Sequence, residues 1–226
     1  MKKVSKRLKK AREMYDSSVS YSLRDAVSLI KKLPLASFDE TLDLAFKLGV
    51  DARHADQVVR GVVVLPHGLG RSQRVLVFAK GEKAQEAQKA GADYVGDQDL
   101  IAKIESGWLD FDSVVAVPEM MKDIAKIGRI LGTKGLMPNP KVGTVTQNID
   151  QTVKELKAGR LSFRVNKAND IHVPVGKVSF TEDCIVENVE ALIDAVVKAK
   201  PSAAKGQYLR KISLSSTMGC GIKLNI

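Results

Sequence analysis

The chain has 226 residues, of which 36 are Lys or Arg and 26 are Asp or Glu, giving a formal net charge of +10. Hydrophobic residues make up 44% and charged residues 27%, a globular composition that excludes a wholly disordered or collagen-like chain. The two cysteines, Cys184 and Cys220, lie too far apart in sequence for a disulfide framework or a zinc motif, so we expect a reducing, cytoplasmic setting.

The first 50 residues predict two helices and a strand. Apolar residues from Val4 to Tyr15 recur at helical spacing among many Lys and Arg, which predicts a short helix with a basic surface. A second helical period follows Ser22, the expected N-cap, and ends before Pro34. Hydrophobic and polar residues then alternate over 41–48, which predicts a half-buried antiparallel strand.

The middle of the chain alternates strands with helices. Apolar strands are predicted at 74–79 and 113–117, and helices at 82–90, 97–106 and 119–131. This alternation is typical of a small α/β domain with a parallel sheet.

The last part of the chain returns to strands, which are predicted at 161–165, 171–180 and 208–216. One helix is predicted at 182–199, with Thr181 as its N-cap. Together with the first 50 residues, this part is typical of an α+β fold with antiparallel strands.

The net charge is concentrated at both ends of the chain. Residues 1–65 carry 13 basic and 8 acidic side chains, residues 66–158 carry 13 and 12, and residues 159–226 carry 10 and 6. The two ends therefore hold nine of the ten net charges. Such a split is natural when the two ends fold together and the middle is an insertion.

We therefore predict one discontinuous α+β domain, made of residues 1–66 and 159–226, and an inserted α/β domain of Rossmann-like type at 67–158. Turn-forming residues occupy both borders and are candidate crossing points between the domains. They are Pro66, His67, Gly68 and Gly159.

Sequence signatures of catalysis are missing. The histidines His54, His67 and His172 stand in no metal-binding spacing, and the sequence contains no G-x-S-x-G hydrolase motif. Segment 128–135 resembles a phosphate loop, but Gly follows Lys134 where such a loop needs Ser or Thr for Mg²⁺. We expect no enzyme, metal, cofactor or small-molecule substrate. A nucleotide-dependent enzyme that uses this segment is the alternative.

A basic protein has two obvious classes of anionic partner, nucleic acid and membrane surface. The longest apolar runs, such as Val62–Leu65 and Val75–Ala79, are too short to span a bilayer. The basic N-terminus is not followed by the apolar core of a secretory signal. We expect RNA rather than membrane, and keep membrane binding through the N-terminal helix as a third hypothesis.

Segment 118–143 combines a basic helix with a loop rich in Gly and Pro, whose backbone amides can approach an anion closely. The competing interpretation is an amphipathic helix with ordinary solubilising charge. The candidate contacts to RNA or tRNA in this segment are Lys122, Arg129, Lys134, Gly135 and Lys141.

Segment 213–219 places short hydroxyl groups at the end of a predicted strand. Ser215 and Thr217 can hydrogen-bond to ribose or phosphate, Met218 can pack on a base, and Gly219 permits close approach of the backbone. A sheet edge built from β-compatible residues explains this segment equally well.

Two further segments are weaker candidates. Phe38, in segment 37–41, can stack on a nucleotide, although a core phenylalanine is more common. The other segment contains Arg164, Lys167 and His172, which lie in and between two predicted strands and are candidate RNA contacts. The competing interpretation is an ordinary solvated face of a sheet. Because only 5% of the residues are aromatic, a stacking platform of the RRM type is disfavoured.

Taken together in chain order, these segments resemble the bacterial form of the L-one family of large-subunit ribosomal proteins. The long run at 117–146 is highly specific, and the resemblance covers nearly the whole chain. The matching runs are SFDET at 37–41, LPHGLGR at 65–71, VPEMMKDIAKIGRILGTKGLMPNPKVGTVT at 117–146, FRVNKANDIHVPVGKVSF at 163–180 and STMG at 216–219.

The resemblance implies a protein of the mobile stalk beside the tRNA exit site, in the large subunit of the cytoplasmic ribosome, and we expect a monomer off the ribosome. It implies that the discontinuous domain binds large-subunit rRNA and that the crossing points act as hinges. It also implies a part in releasing deacylated exit-site tRNA, and repression of the mRNA of its own operon. The rRNA contacts implied are Phe38, Glu40, Thr41, Ser215, Thr217, Met218 and Gly219, with Arg164, Lys167 and His172 as weaker candidates.

Overall fold

The structure is a computed structural model that describes residues 6–16, 18–33, 36–204 and 206–225. Val4 and Pro34, on which two of the helix predictions depend, lie outside the described residues. The strands are β1 (Thr41–Leu48), β2 (Arg60–Val64), β3 (Val75–Phe78), β4 (Tyr94–Gly96), β5 (Ser113–Ala116), β6 (Arg160–Arg164), β7 (Asp170–Lys177), β8 (Leu209–Ser216) and β9 (Ile222–Leu224). The helices are α1 (Lys6–Glu13), α2 (Leu23–Lys32), α3 (Glu82–Lys89), α4 (Gln98–Glu105), α5 (Met121–Ile124), α6 (Gly128–Thr133), α7 (Ile149–Ala158) and α8 (Glu182–Lys198).

The chain divides into two compact units. The first unit consists of Met1–Gly70 and Leu161–Ile226, and the second of Arg71–Arg160. Each unit has its own hydrophobic core.

The first unit is built on a four-stranded antiparallel sheet in the order β7-β1-β8-β9. Along β1, every second side chain from Leu42 to Leu48 is buried, while the residues between them are partly exposed, as the period of two predicts. Helices α2 and α8 pack on the buried face, where Ile30 and Leu192 join the same core. On the opposite face, Asp43, His172 and Ser215 are exposed or partly exposed in the described structure, and we call this side the open face. Strands β2 and β6 form a separate pair.

Two helices of the first unit begin where the sequence predicts. Ser22 Oγ accepts a hydrogen bond from the backbone N–H of Asp25 (3.3 Å) at the start of α2. Thr181 Oγ1 accepts one from the backbone N–H of Cys184 (3.4 Å) at the start of α8. Each cap satisfies one of the N–H groups that a helix N-terminus leaves without an internal partner.

The second unit is built on a parallel sheet in the order β4-β3-β5. The central strand β3 is buried along its whole length, which is expected for a parallel strand covered on both faces. The prediction of a parallel sheet here is confirmed.

The helix predicted at 119–131 is interrupted. Turns of 3-10 helix at Pro118–Met120 and Ala125–Ile127 alternate with the short helices α5 and α6. The apolar face at Met120, Ile124, Ile127 and Leu131 is nevertheless buried, since the 3-10 turns and the short helices bring residues three or four apart onto one face. Strands β2, β4 and β9 and helix α7 were not predicted.

The described chain is an α+β protein with antiparallel sheets and helices, which confirms the predicted fold class at that level. The predicted arrangement, in which one discontinuous domain hosts an inserted one, stays a prediction.

Candidate nucleic-acid interface

The strongest candidate site lies where β1 begins and β8 ends. Thr41 and Thr217 are joined there by three hydrogen bonds. The backbone N–H of Thr217 donates to the carbonyl of Thr41 (3.0 Å), and the backbone N–H of Thr41 donates to Thr217 Oγ1 (3.0 Å). Thr217 Oγ1 itself donates to the Thr41 carbonyl (3.2 Å). This pair fixes the segment before β1 beside the turn after β8.

Two large apolar side chains project from these segments into solvent. Phe38 and Met218 are each 53% exposed. Side chains of this size are usually buried, and both belong to the predicted rRNA contacts. We name the surface formed by Phe38, Thr41, Thr217, Met218 and Gly219 the exposed edge.

The loop that carries Phe38 is held by several hydrogen bonds. The Asp39 carboxylate accepts from the backbone N–H (3.2 Å) and the hydroxyl (2.9 Å) of Ser179. Lys177 Nζ donates to the carbonyl of Asp39 (3.2 Å) and to Thr41 Oγ1 (3.0 Å). These hydrogen bonds from the end of β7 and the residues after it fix the backbone on the C-terminal side of Phe38.

Glu40 does not fit the prediction that its side chain contacts RNA. It is only 1% exposed, and its carboxylate points into the protein. Oε1 accepts from the backbone N–H of Ala36 (2.6 Å), and Oε2 accepts from the backbone N–H of Met218 (2.9 Å). A buried carboxylate is stabilised by such bonds, so the structure gives Glu40 a role in holding the two exposed segments.

Gly219 closes the turn after β8, and its N–H donates to the carbonyl of Ser216 (3.1 Å). A Cβ atom at this position would collide with Ser216 Oγ. A side chain here would have to displace Ser216 Oγ, so the turn itself favours glycine whether or not RNA approaches it.

The open face of the four-stranded sheet continues from the exposed edge. Ser215 lies opposite Asp43, and His172 lies opposite Ala45, so both predicted residues belong to this face. Lys167 lies in the turn before β7, whereas Arg164 lies in β6, which pairs with β2 and not with this sheet. The structure therefore places His172 and Ser215 on the sheet face that adjoins the exposed edge, and Arg164 on a separate pair of strands.

Asp43 is a residue of this face that the sequence analysis did not single out. Burial raises the pKa of its carboxyl group, and the nearby His172 partly opposes that shift. A half-buried acid in the middle of an open polar face can accept hydrogen bonds from a ligand. The sequence indicated only that Asp43 is one of the residues that alternate with buried hydrophobic residues over 41–48.

The basic candidates of the second unit form a separate exposed group on α5, on α6 and in the loop after α6. Gly135 has the left-handed φ of +73°, and a side chain there would meet nothing within 4 Å. Within the described parts of the chain, the four cations of this group form no ion pair with an acidic side chain. The group consists of Lys122, Arg129, Lys134, Gly135 and Lys141, all exposed.

The phosphate-loop interpretation of 128–135 is wrong. Gly128–Thr133 forms helix α6 and follows a 3-10 turn, not a strand. A P-loop needs a strand, a loop that wraps the phosphates, and then a helix. The alternative function as a nucleotide-dependent enzyme loses the segment on which it depended.

The predicted hinge residues lie in turns. Gly68 and Gly159 adopt left-handed φ angles of +64° and +108°. The backbone N–H of His67 and the carbonyl of Gly68 are both bonded to the side chain of Asn188, at 3.1 Å each. Asn188 is fully buried in the first unit and also donates to the carbonyl of Val175 (2.9 Å). A hinge function for Pro66, His67, Gly68 and Gly159 stays a prediction.

Among the described residues, no group of three or more His, Cys, Asp or Glu side chains could hold a metal ion. No helix in the described ranges is both long and apolar enough to cross a membrane.

Residues 30–220 match the sequence model of the Ribosomal protein L1p/L10e family. The match covers well over half of the chain and includes every predicted rRNA contact, which confirms the resemblance inferred from the motifs. The chain therefore belongs to the ribosomal protein L1p/L10e family and is a structural, rRNA-binding protein of the large subunit of the cytoplasmic ribosome.

Proposed function

We propose that the first unit is a discontinuous rRNA-binding domain that holds the stalk of large-subunit rRNA by its exposed edge. The second unit is then an inserted domain between two hinges. The observation that carries the proposal is the pair of exposed side chains, Phe38 and Met218, beside the bonded threonines Thr41 and Thr217. Bases and riboses offer the apolar faces and hydroxyls that such a surface can bind.

Rigidity supports this proposal. The loop of Phe38 and the turn of Met218 are tied to each other by hydrogen bonds from backbone N–H groups to the side chains of Glu40 and Thr217. A surface that is ordered before binding loses less conformational entropy when RNA arrives. The exposed edge is therefore suited to tight binding with few contacts.

The proposal is tested by measuring the affinity of a stalk rRNA fragment for Met218→Ala and Phe38→Ala. Stacking of a base on an aromatic side chain is worth about 1–3 kcal/mol, so we expect Phe38→Ala to lose about 5- to 150-fold in affinity. Met218→Ala should also bind more weakly, because the apolar contact of Met218 with the RNA is lost. Val197→Ala is the matched control, because Val197 is also a large exposed apolar residue, on α8. Equal affinities for all three variants would place the rRNA contact elsewhere.

We further propose that the protein represses translation of its own operon by binding a similar hairpin in the mRNA. The argument is chemical, since one rigid edge recognises one RNA shape wherever it occurs. In a competition experiment, the rRNA fragment should displace the operon leader, and Met218→Ala should weaken both complexes by a similar factor. An unchanged affinity for the leader would separate the two functions.

The exposed cations of the second unit support a contact with exit-site tRNA during release of deacylated tRNA. They carry no ion pair within the described chain, so their charge is available to phosphates. Lys134→Ala with Lys141→Ala should reduce crosslinking of tRNA to this unit while leaving the affinity for stalk rRNA unchanged. Lys83→Ala with Lys89→Ala, on α3, is the control for lost charge.

A further inference from the structure

The open face of the four-stranded sheet carries a second cluster of cations, far from the exposed edge. We propose that Arg210, Lys211 and Lys223, here named the basic strip, form a second phosphate-binding surface for the bound RNA. This inference rests on the proposed rRNA-binding function and extends the footprint along the same sheet face.

The strand register places two members of the strip on the open face. Lys211 lies opposite Lys47 of β1, and Lys223 of β9 lies opposite Ser213 of β8. Directly opposed residues of antiparallel strands share a face. Since Lys47 and Ser213 are on the open face, Lys211 and Lys223 are there too, and both are exposed.

A β-bulge adds the third member. The register between β1 and β8 shifts after Lys47, which pairs with Lys211, because Leu48 pairs with Leu209. Arg210 is therefore left without an opposite residue. Bulges commonly re-aim a side chain, and the exposed Arg210 side chain lines the same two depressions as Lys211.

The cations of the strip form no ion pair within the described part of the protein. Lys47 is neutralised, since its Nζ lies 2.9 Å from the Asp170 carboxylate and donates to the carbonyl of Ala168 (2.6 Å). No acidic side chain among the described residues forms an ion pair with Arg210, Lys211 or Lys223, although the Asp16 carboxylate interacts electrostatically with Lys223.

The shape of the surface fits an extended anionic chain. Two open depressions of about 520 and 380 Å³ flank the strip, and Arg210 and Lys211 line both. His172 and Ser213 line the larger one and add hydrogen-bonding groups. A sugar-phosphate backbone that crosses the basic strip would meet the cations of the strip and the polar groups of the adjoining depressions.

The strip lies beyond the reach of the nucleotides held at the exposed edge. Lys211 and Thr217 are six residues apart on one strand, which corresponds to roughly 20 Å. Asp43 and Ser215 occupy the face between them. An RNA that covers the whole face therefore touches the edge through bases and riboses and the strip through phosphates.

The test is a salt titration of binding to the stalk rRNA fragment. Each phosphate neutralised contributes about 0.7 to 0.9 to the slope of log affinity against log salt. The triple variant Arg210→Gln, Lys211→Thr, Lys223→Thr should lower affinity at least tenfold at low salt and reduce this slope by about two. Lys211→Thr alone should keep or raise the Tm, because threonine favours strands.

The matched control removes the same charge from the other side of the unit. The control variant combines Arg24→Gln, Lys32→Gln and Lys198→Gln. These residues lie on α2 and α8, which cover the buried face of the sheet. This control should keep the wild-type slope. An equal loss of slope in both triple variants, or a wild-type slope in the strip variant, would overturn the proposal.

The failure of this inference is distinguishable from failure of the proposed function. Loss of affinity in Met218→Ala together with a wild-type slope in the strip variant rejects the strip alone. A reduced slope with an unchanged Met218→Ala keeps the strip and rejects the exposed edge. If the strip variant loses binding to vesicles of anionic lipid but not to RNA, the partner is a membrane and the inference is wrong.

Discussion

Thr217 Oγ1 accepts the backbone N–H of Thr41 and donates to the carbonyl of the same residue. One hydroxyl thus satisfies both backbone groups of a residue at the very start of β1. The proposed RNA contact and the integrity of the sheet end therefore share one atom.

Replacing Thr217 by Val separates these two roles only in part. The variant removes both side-chain hydrogen bonds to Thr41, so we expect a loss of about 1 kcal/mol in the free energy of unfolding. RNA affinity should fall with an unchanged salt slope, since no charge is lost. Thr146→Val, which removes a hydroxyl that accepts from Asn148 (3.1 Å) in the second unit, should leave RNA affinity unchanged. Wild-type stability and affinity in Thr217→Val would contradict the assignment.

Replacing Glu40 by Gln should weaken the clamp between the two exposed segments. The carboxamide keeps one oxygen but places an NH2 group against a backbone N–H, either of Ala36 or of Met218. We expect a loss of about 1–3 kcal/mol in the free energy of unfolding, measured by chemical denaturation. RNA affinity should fall without a change of salt slope. Glu119→Gln, at an exposed position in the second unit, is the control, and equal stability of both variants would reject the clamp.

Asp43 predicts a pH dependence of a definite sign. Because burial raises its pKa above 3.8, the folded protein binds the proton more tightly than the unfolded chain does. The contribution of Asp43 to the free energy of unfolding therefore declines as the pH rises from 3.8 through the raised pKa. Asp43→Asn should be more stable than wild type at pH 7, and this difference should vanish at low pH. Denaturation curves from pH 3 to 7 that run parallel for the two proteins would contradict this.

Tyr208, in the core of the first unit, predicts a second pH dependence of stability, at alkaline pH. Burial raises the pKa of its phenol to about 12, and the hydroxyl donates to the carbonyl of Val196 (3.0 Å). An absorbance titration should show one of the four tyrosines ionising near pH 12, and Tyr208→Phe should abolish that step. Its contribution to stability should fall as the pH rises from 10 toward 12, since the folded state holds the proton. Persistence of the late step in Tyr208→Phe would assign it to another tyrosine.

The sequence alone predicted the strand at 41–48 and its two faces, because a period of two is a local property. It did not predict that Thr41 meets Thr217, because strand pairing across so many residues depends on the packing of the whole unit. Motif order placed Glu40 among the RNA contacts, yet burial turned its carboxylate inward. Arg210 and Lys211 were missed because a β-bulge and a register become visible only when the strands are paired.

The side chain of Asn188 has a consequence for where the first unit ends. It bonds the backbone N–H of His67 and the carbonyl of Gly68 from within the core, although both residues belong to a turn between strands. Exchange of the His67 amide with deuterium therefore requires breaking its hydrogen bond to the buried side chain of Asn188, not merely the motion of a loop. By this kinetic criterion, we expect the protected part of the first unit to extend into the turn and to include the His67 amide.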